Sequence, residues 1–173
     1  MASFEFLAVV VSILALAASI TYYSMTIRNQ TKTIRLELIK DIWDWISEED
    51  QYKKFMQLMT MTWTSYEDFQ DKYGGFTKPD DYAMRWSVWS KLNGLGYMVK
   101  EGAVDVESVY DHSASRVIWM WQKFESIIRA DRERLGSGYL FKWWEYLVGE
   151  LVKEAEKRGE LLIMPHGFKS NPE

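Results

Sequence analysis

Residues 6–27 read FLAVVVSILALAASITYYSMTI, 22 positions without a charge. The apolar character runs around the whole helical circumference, unlike the one-sided stripe of a surface helix. At about 1.5 Å per residue this makes roughly 33 Å of helix, enough to cross a hydrocarbon core of about 30 Å. The five residues before it contain no Lys or Arg, whereas a cleaved signal peptide opens on a basic segment. The pattern therefore predicts an uncleaved membrane anchor over residues 1–27.

Past Ile27 the pattern changes to one of threes and fours. Ile34, Leu38, Ile42 and Trp45, with Leu36, Ile39, Trp43 and Ile46 beside them, form a broad apolar helical face. No breaker separates it from the anchor, so a juxtamembrane helix over residues 28–46 is expected to continue the span. Ser47-Glu-Glu-Asp50 has the form of a capping box that opens a new helix carrying Phe55 and Met59. Ser65 with Asp68 repeats that signal, and Gly74-Gly75 stops the element. Pro79 suits a first helical position, Asp80 and Asp81 suit the positive end of its dipole, and Gly102 ends that helix. Asp105 is expected to cap a short turn with Val106, Val109 and Tyr110. Ser113 or Ser115 is then expected to cap a long helix carrying Val117, Trp121, Phe124 and Ile128. Gly136-Ser-Gly138 breaks the chain, and Leu140, Trp144, Leu147, Leu151 and Ala155 form a last stripe ended by Gly159.

Strand alternation is nearly absent. The fold expected is all-α: one N-terminal transmembrane helix continuing into a cytoplasmic antiparallel bundle of five or six helices. The bundle is assigned to residues 47–159 and a tail to 160–173. The tail's Leu-Leu-Ile-Met at 161–164 is expected to fold back on the domain or to add to a neighbouring subunit.

Charge adds an orientation. All 21 Lys and Arg residues follow the span, four of them at Arg28, Lys32, Arg35 and Lys40, while only Glu5 precedes it. The positive-inside rule then keeps the C-terminal side in the cytoplasm of a cell (inner) membrane, with the N-terminus outside. A pI near 5.3 argues against nucleic acid as a partner. The absence of cysteine excludes disulfides, thiolate metal sites and cysteine nucleophiles.

A second pattern lies inside the span. Ala8, Ser12, Ala15, Ser19, Tyr22 and Thr26 recur at alternating spacings of four and three, a seam of mostly small or hydroxyl residues. Small residues let helix backbones approach and hydroxyls bond across them, so pairing with a second copy or with another span is one reading. The other is that Ala and Ser are simply common in such helices.

The chain carries 9 Trp, 10 Tyr and 8 Phe. Several tryptophans come in close pairs, Trp43 with Trp45, Trp119 with Trp121 and Trp143 with Trp144, which one helix face cannot hold together. One ring of each pair is expected in the core. Trp43, Trp45, Trp119 and Trp143 are either further core filling or a partner surface. Met56, Met59, Met61 and Met84 are either core or an adaptable groove.

Candidate chemistry is sparse. No phosphate loop, dinucleotide fingerprint, zinc-protease, nucleophile-elbow or calcium-loop motif occurs. Gly94-Leu-Gly96 lies inside a helical pattern, where a close helix crossing explains glycine better than a phosphate does. The nearest approach to a metal or acid–base cluster is Glu107, Asp111 and His112, which lacks further ligands at suitable spacing. The charge-mixed runs at 131–134 and 150–157 read as solvated helix faces. No catalytic residue, metal or cofactor is therefore assigned.

The segments LNGLGYMVKEGAVDVESVY at 92–110 and YLFKWWEYL at 139–147, with the span and its basic flank, resemble the domain-of-unknown-function 4760 family. The resemblance implies a prokaryotic protein with one N-terminal span before a helical cytoplasmic domain. It brings no established activity, and residues 50–78 depart from it most. The function expected is a non-enzymatic, membrane-anchored interaction module, oligomeric or bound to a protein partner. The alternatives are an accessory subunit of a larger membrane complex, a metal-dependent hydrolase using Asp111 and His112, or an oligomeric pore.

Overall fold

A computed structural model describes residues 2–169. Among them are six α-helices and no strand: α1 (Ala2–Ser47), α2 (Glu49–Met59), α3 (Tyr66–Tyr73), α4 (Pro79–Lys100), α5 (Val106–Leu135) and α6 (Lys142–Arg158). A 3-10 turn, His166–Phe168, follows. The chain divides into two compact units between Lys40 and Asp41.

The described residues of the first unit are all helical and belong to α1. Its most apolar window has a mean hydropathy of 2.2 and none of it is buried, so this helix is long and apolar enough to cross a membrane. Leu7, Leu14, Leu16 and Ile20 all stand outward.

In the second unit the boundary between α1 and α2 corrects the capping box expected at Ser47. The helix breaks at Glu48 (φ −60°, ψ 132°), one residue past Ser47, so Ser47 still belongs to α1. Glu48 occupies the N-cap without a side-chain bond. The box at Ser65 does form, with its Oγ accepting from the Asp68 amide at 3.1 Å. Asp68 reaches back to the Thr64 amide at 2.9 Å instead of to Ser65. Pro79 opens α4 as expected.

The expected short turn and the break before Ser113 are also corrected. Asp105 accepts from the Ser108 amide at 2.7 Å and caps a single helix of 30 residues. Ser113 lies inside it, its hydroxyl bonded back to the Val109 carbonyl at 3.1 Å. A serine can satisfy its donor this way in mid-helix, which makes it an ambiguous start signal.

The core is aromatic. Trp89, Trp144, Phe69 and Phe124 are fully buried. The Trp89 ring centroid lies 5.1 Å from Phe124, 5.5 Å from Phe141 and 6.1 Å from Trp144. Trp63 joins from the α2–α3 loop, 5.2 Å from Phe124. Helices α5 and α6 run antiparallel, with Glu107 facing Lys157 at one end and Arg132 facing Glu145 at the other.

The start of α6 decides how α4 and α6 meet. Its N-cap is Phe141, a non-glycine residue at φ 53°, with no side chain able to accept the orphan amides. Asn93 of α4 accepts them instead, its Oδ1 lying 3.0 Å from the Trp143 amide and 3.3 Å from that of Trp144. One turn on, a Cβ at Gly96 would overlap the Trp143 carbonyl, whereas one at Gly94 would meet open space. Glycine is thus required at 96 for the helix approach and not at 94.

Gly96→Ala should therefore force the two backbones apart and cost about 1–3 kcal/mol in urea unfolding. Gly94→Ala should leave stability unchanged or raise it by up to about 1 kcal/mol, through reduced unfolded-state entropy. Equal effects at the two positions would contradict the close approach.

Candidate functional site

Four regions carry candidate chemistry: the span seam, the outlying tryptophans, the polar cluster at the start of α5, and a buried lysine in α5.

Along the seam, Ser12 donates to the Ala8 carbonyl at 2.9 Å, Ser19 to Ala15 at 2.8 Å and Thr26 to Tyr22 at 2.9 Å. Each seam Ser or Thr hydroxyl thus bonds the seam residue one turn before it. The single proton of each is already used, so toward another helix these hydroxyls offer lone pairs and small size. The seam residues all lie in the first unit, and Ala8, Ser12, Ala15, Ser19 and Tyr22 are exposed.

The tryptophan pairs divide between core and flank. Trp121 and Trp144 are buried, while Trp119 and Trp143 are half-buried. Trp143 packs against Tyr97 at 5.7 Å and lies under the Lys142 ammonium at 4.4 Å. Trp119 faces Phe168 at 6.3 Å. Trp43 is 37% exposed and stacks on His112, with ring centroids 3.9 Å apart and planes inclined by 24°. The side chain of Trp45 lies outside the described residues. Of the methionines, Met59 and Met61 are buried core and Met56 and Met84 half-buried.

Glu107, Asp111 and His112 face three different partners. Glu107 pairs with Lys157 at 3.4 Å and Asp111 with Arg158, both on α6. His112 holds its Nδ1 3.0 Å from the Ser108 carbonyl while its ring stacks on Trp43. Arg158 also bonds Glu154 at 2.7 Å and covers the Tyr110 ring at 4.4 Å. Hydrogen bonds to Asp111 and Glu154 raise its pKa further. The cluster thus ties the start of α5 to the end of α6. Among the described residues no group of three His, Asp or Glu side chains is placed to hold a metal ion.

The two charge-mixed runs are largely the solvated faces expected, with Glu133, Arg134, Lys153, Glu156 and Lys157 exposed, but Asp131, Arg132 and Glu154 depart from that. Glu154 is buried under Arg158 and Lys157. Asp131 accepts from the Tyr66 hydroxyl at 2.7 Å. Arg132 bridges the Leu140 carbonyl at 2.8 Å and Glu145 at 2.7 Å. Each residue points inward because its helix is covered on that side by a neighbour, which a pattern of charges within one helix cannot show.

Lys123 is 3% exposed and has no carboxylate beside it. Its ammonium donates to the Met59 carbonyl at 2.8 Å and to the Phe168 carbonyl at 2.8 Å, and sits 5.1 Å from the centroid of Trp63. It therefore joins the end of α2 to the C-terminal 3-10 turn. The tail docks through Phe168, whose ring meets Phe55 at 6.1 Å. By contrast Leu161 and Ile163 remain exposed. A lysine inside a helical stripe gave a signal in principle, since it interrupts the apolar face of Val117, Trp121 and Phe124.

A family model described as "Domain of unknown function (DUF4760)" matches residues 2–151. The chain belongs to the DUF4760 family. The match covers α1 through α5 and extends into α6, taking in both segments that meet at the Asn93–Trp143 contact. No curated protein and no solved structure matches the chain.

Burial pushes the Lys123 ammonium down from 10.5 to about 8. Below pH 8 the lysine is charged in both folded and unfolded chains, and the full cost of burying it is present. Between pH 8 and 10.5 the unfolded chain holds the proton that the folded chain has released, so stability rises with pH. Unfolding free energy should increase by about 2 kcal/mol from about pH 7.5 to 9.5. In Lys123→Met the slope should vanish, as followed by denaturant titration at each pH.

Proposed function

We propose that this DUF4760 member is a non-catalytic membrane-anchored interaction module. The carrying observation is the first unit of α1. Over residues 6–27 its surface is charge-free, apolar and almost wholly exposed, with no covering partner within the helix itself, and water solvates such a surface poorly. Lipid covers most of it in this reading, and the seam of Ala8, Ser12, Ala15, Ser19, Tyr22 and Thr26 covers itself against a second copy. The Ser12, Ser19 and Thr26 hydroxyls, already bonded in their own helix, support close packing because they bring no unpaired donor between two spans. The basic flank from Arg28 to Lys40 supports a cytoplasmic helical unit. Glu107 and Asp111 serve as ion-pair partners of α6, which supports a non-catalytic reading.

The expected outcome is recovery of the full chain in the membrane fraction, resistant to carbonate extraction, with the C-terminal unit shielded from protease added to intact cells. In mild detergent the chain should run as a dimer or larger. Ala15→Ile with Ser19→Ile should reduce self-association about tenfold or more, as measured by crosslinking. Leu14→Ile on another face should leave it unchanged. A carbonate-soluble chain would refute the anchor, and an unaltered crosslinking yield would refute the seam.

A further inference from the structure

The C-terminal 3-10 turn sits on a cation that lacks a counter-charge. Lys123 is almost fully buried, burial alone lowers its pKa, and no carboxylate acts on it. Its ammonium is held by two neutral acceptors, the Met59 carbonyl of α2 and the Phe168 carbonyl of the turn, each at 2.8 Å. A buried charge served only by neutral dipoles and a ring face is under-compensated, and an anion is the group that corrects it. One turn earlier on the same face of α5, the indole Nε1 of Trp119 is buried and has no hydrogen-bond partner among the described residues. Both side chains meet Phe168, Lys123 at its carbonyl and Trp119 at its ring, yet the turn satisfies only one of the two donors.

The rings define the rest of the place. Phe168 is half-buried, its ring edge-on to Phe55 at 6.1 Å and tilted against Trp119 at 6.3 Å. The segment that carries it is held loosely. No residue from 160 to 169 is buried, and Leu161 and Ile163 are exposed. Ordering such a segment has little apolar burial to offset its entropy, so it is readily displaced. Its departure leaves a slot walled by Phe55 and Trp119, with a buried ammonium short of one acceptor and an indole N–H that never had one. The Phe168 ring and carbonyl stand in for the two halves of an aromatic acid.

We propose that Lys123, Trp119 and Phe55 form a binding site for an aromatic carboxylate, whether a compact arylalkyl acid or the C-terminal phenylalanine of a peptide, and that the chain's own Phe168 turn is its resident occupant. The ligand's carboxylate takes the place of the Phe168 carbonyl, supplies the missing negative charge to Lys123 and brings a second oxygen for the Trp119 N–H. Its ring takes the Phe168 position against Phe55. A cation is repelled by the ammonium, and a neutral aromatic leaves that charge uncompensated. The site lies within the second unit and goes beyond the anchoring reading, on which it does not depend.

The test uses the full chain in dodecyl maltoside, with 3-phenylpropionate as probe and 3-phenylpropanamide as its uncharged counterpart. Calorimetry should show saturable binding of the acid with Kd near about 1 mM, and the amide should bind at least about tenfold more weakly. Phe168→Ala weakens the resident occupant and should tighten the acid about threefold or more. Lys123→Met should weaken it at least about tenfold, with the thermal unfolding midpoint checked alongside. Trp119→Phe keeps an aromatic ring and removes the N–H; it should weaken the acid several-fold and remains decisive if the lysine variant fails to fold. N-acetyl-glycyl-phenylalanine with a free carboxylate separates the two sources: tighter binding than the plain acid assigns the site to a peptide end, weaker binding to a free acid. An acid that does not saturate by about 50 mM overturns the proposal. So does an amide that binds equally well, an affinity that Phe168→Ala does not raise, or one that folded Trp119→Phe protein leaves unchanged.

Discussion

Helix α6 cannot satisfy its own beginning, and the second unit is arranged around that deficit. The chain enters the helix through Phe141 in a left-handed conformation that a bulky side chain adopts only under constraint. Its ring is held by Trp86 at 5.1 Å and Trp89 at 5.5 Å. Asn93 supplies the missing cap from α4, and Gly96 removes the one Cβ that would keep α4 at a distance. Capping, strain and close approach therefore depend on one another. The two sequence segments that resemble the family, 92–110 and 139–147, provide the two sides of this single contact.

Around that junction the bundle carries an unusual load of buried charge. Arg85 and Lys123 are both almost fully buried, and neither forms a salt bridge among the described residues. Each is held by backbone carbonyls at loop and helix ends, and each lies beside aromatic rings. Carbonyls left over at the end of a helix need donors in any case, so a buried cation can join elements that share little apolar surface. Lys123 does this for α2 and the terminal turn, and Arg85 for the end of α3. The cost is desolvation of the ammonium, which depresses its proton affinity.

The two units solve different solvation problems. The first exposes apolar side chains all around and bonds its hydroxyls internally, a composition suited to a lipid environment. The second covers its rings with one another and ties its helix ends with ion pairs such as Arg158 with Asp111 and Glu154.

Much of this was legible in the chain itself. The charge-free run of residues 6–27, the helical spacing, and the punctuation by Pro79, Gly102, Gly136 and Gly159 follow from local sterics and solvation, which act over a few residues. Gly96 was also readable as a helix crossing, because glycine inside a helix needs a reason. Start signals read from serine were less secure: Ser65 caps, Ser47 and Ser113 do not, since one hydroxyl serves a cap or an interior carbonyl equally well. The destinations of the covered charges were mostly not legible, Lys123 in its apolar stripe being the exception. Asp131, Arg132, Glu154 and Arg85 look like solvated residues until another helix covers them. Only the tertiary fold brings Tyr66 to Asp131 across 65 residues, or Asn93 to Trp143 across 50. Local pattern determines which helices form, whereas the polar partners depend on contacts between residues distant in sequence, and those exist only once the helices have packed.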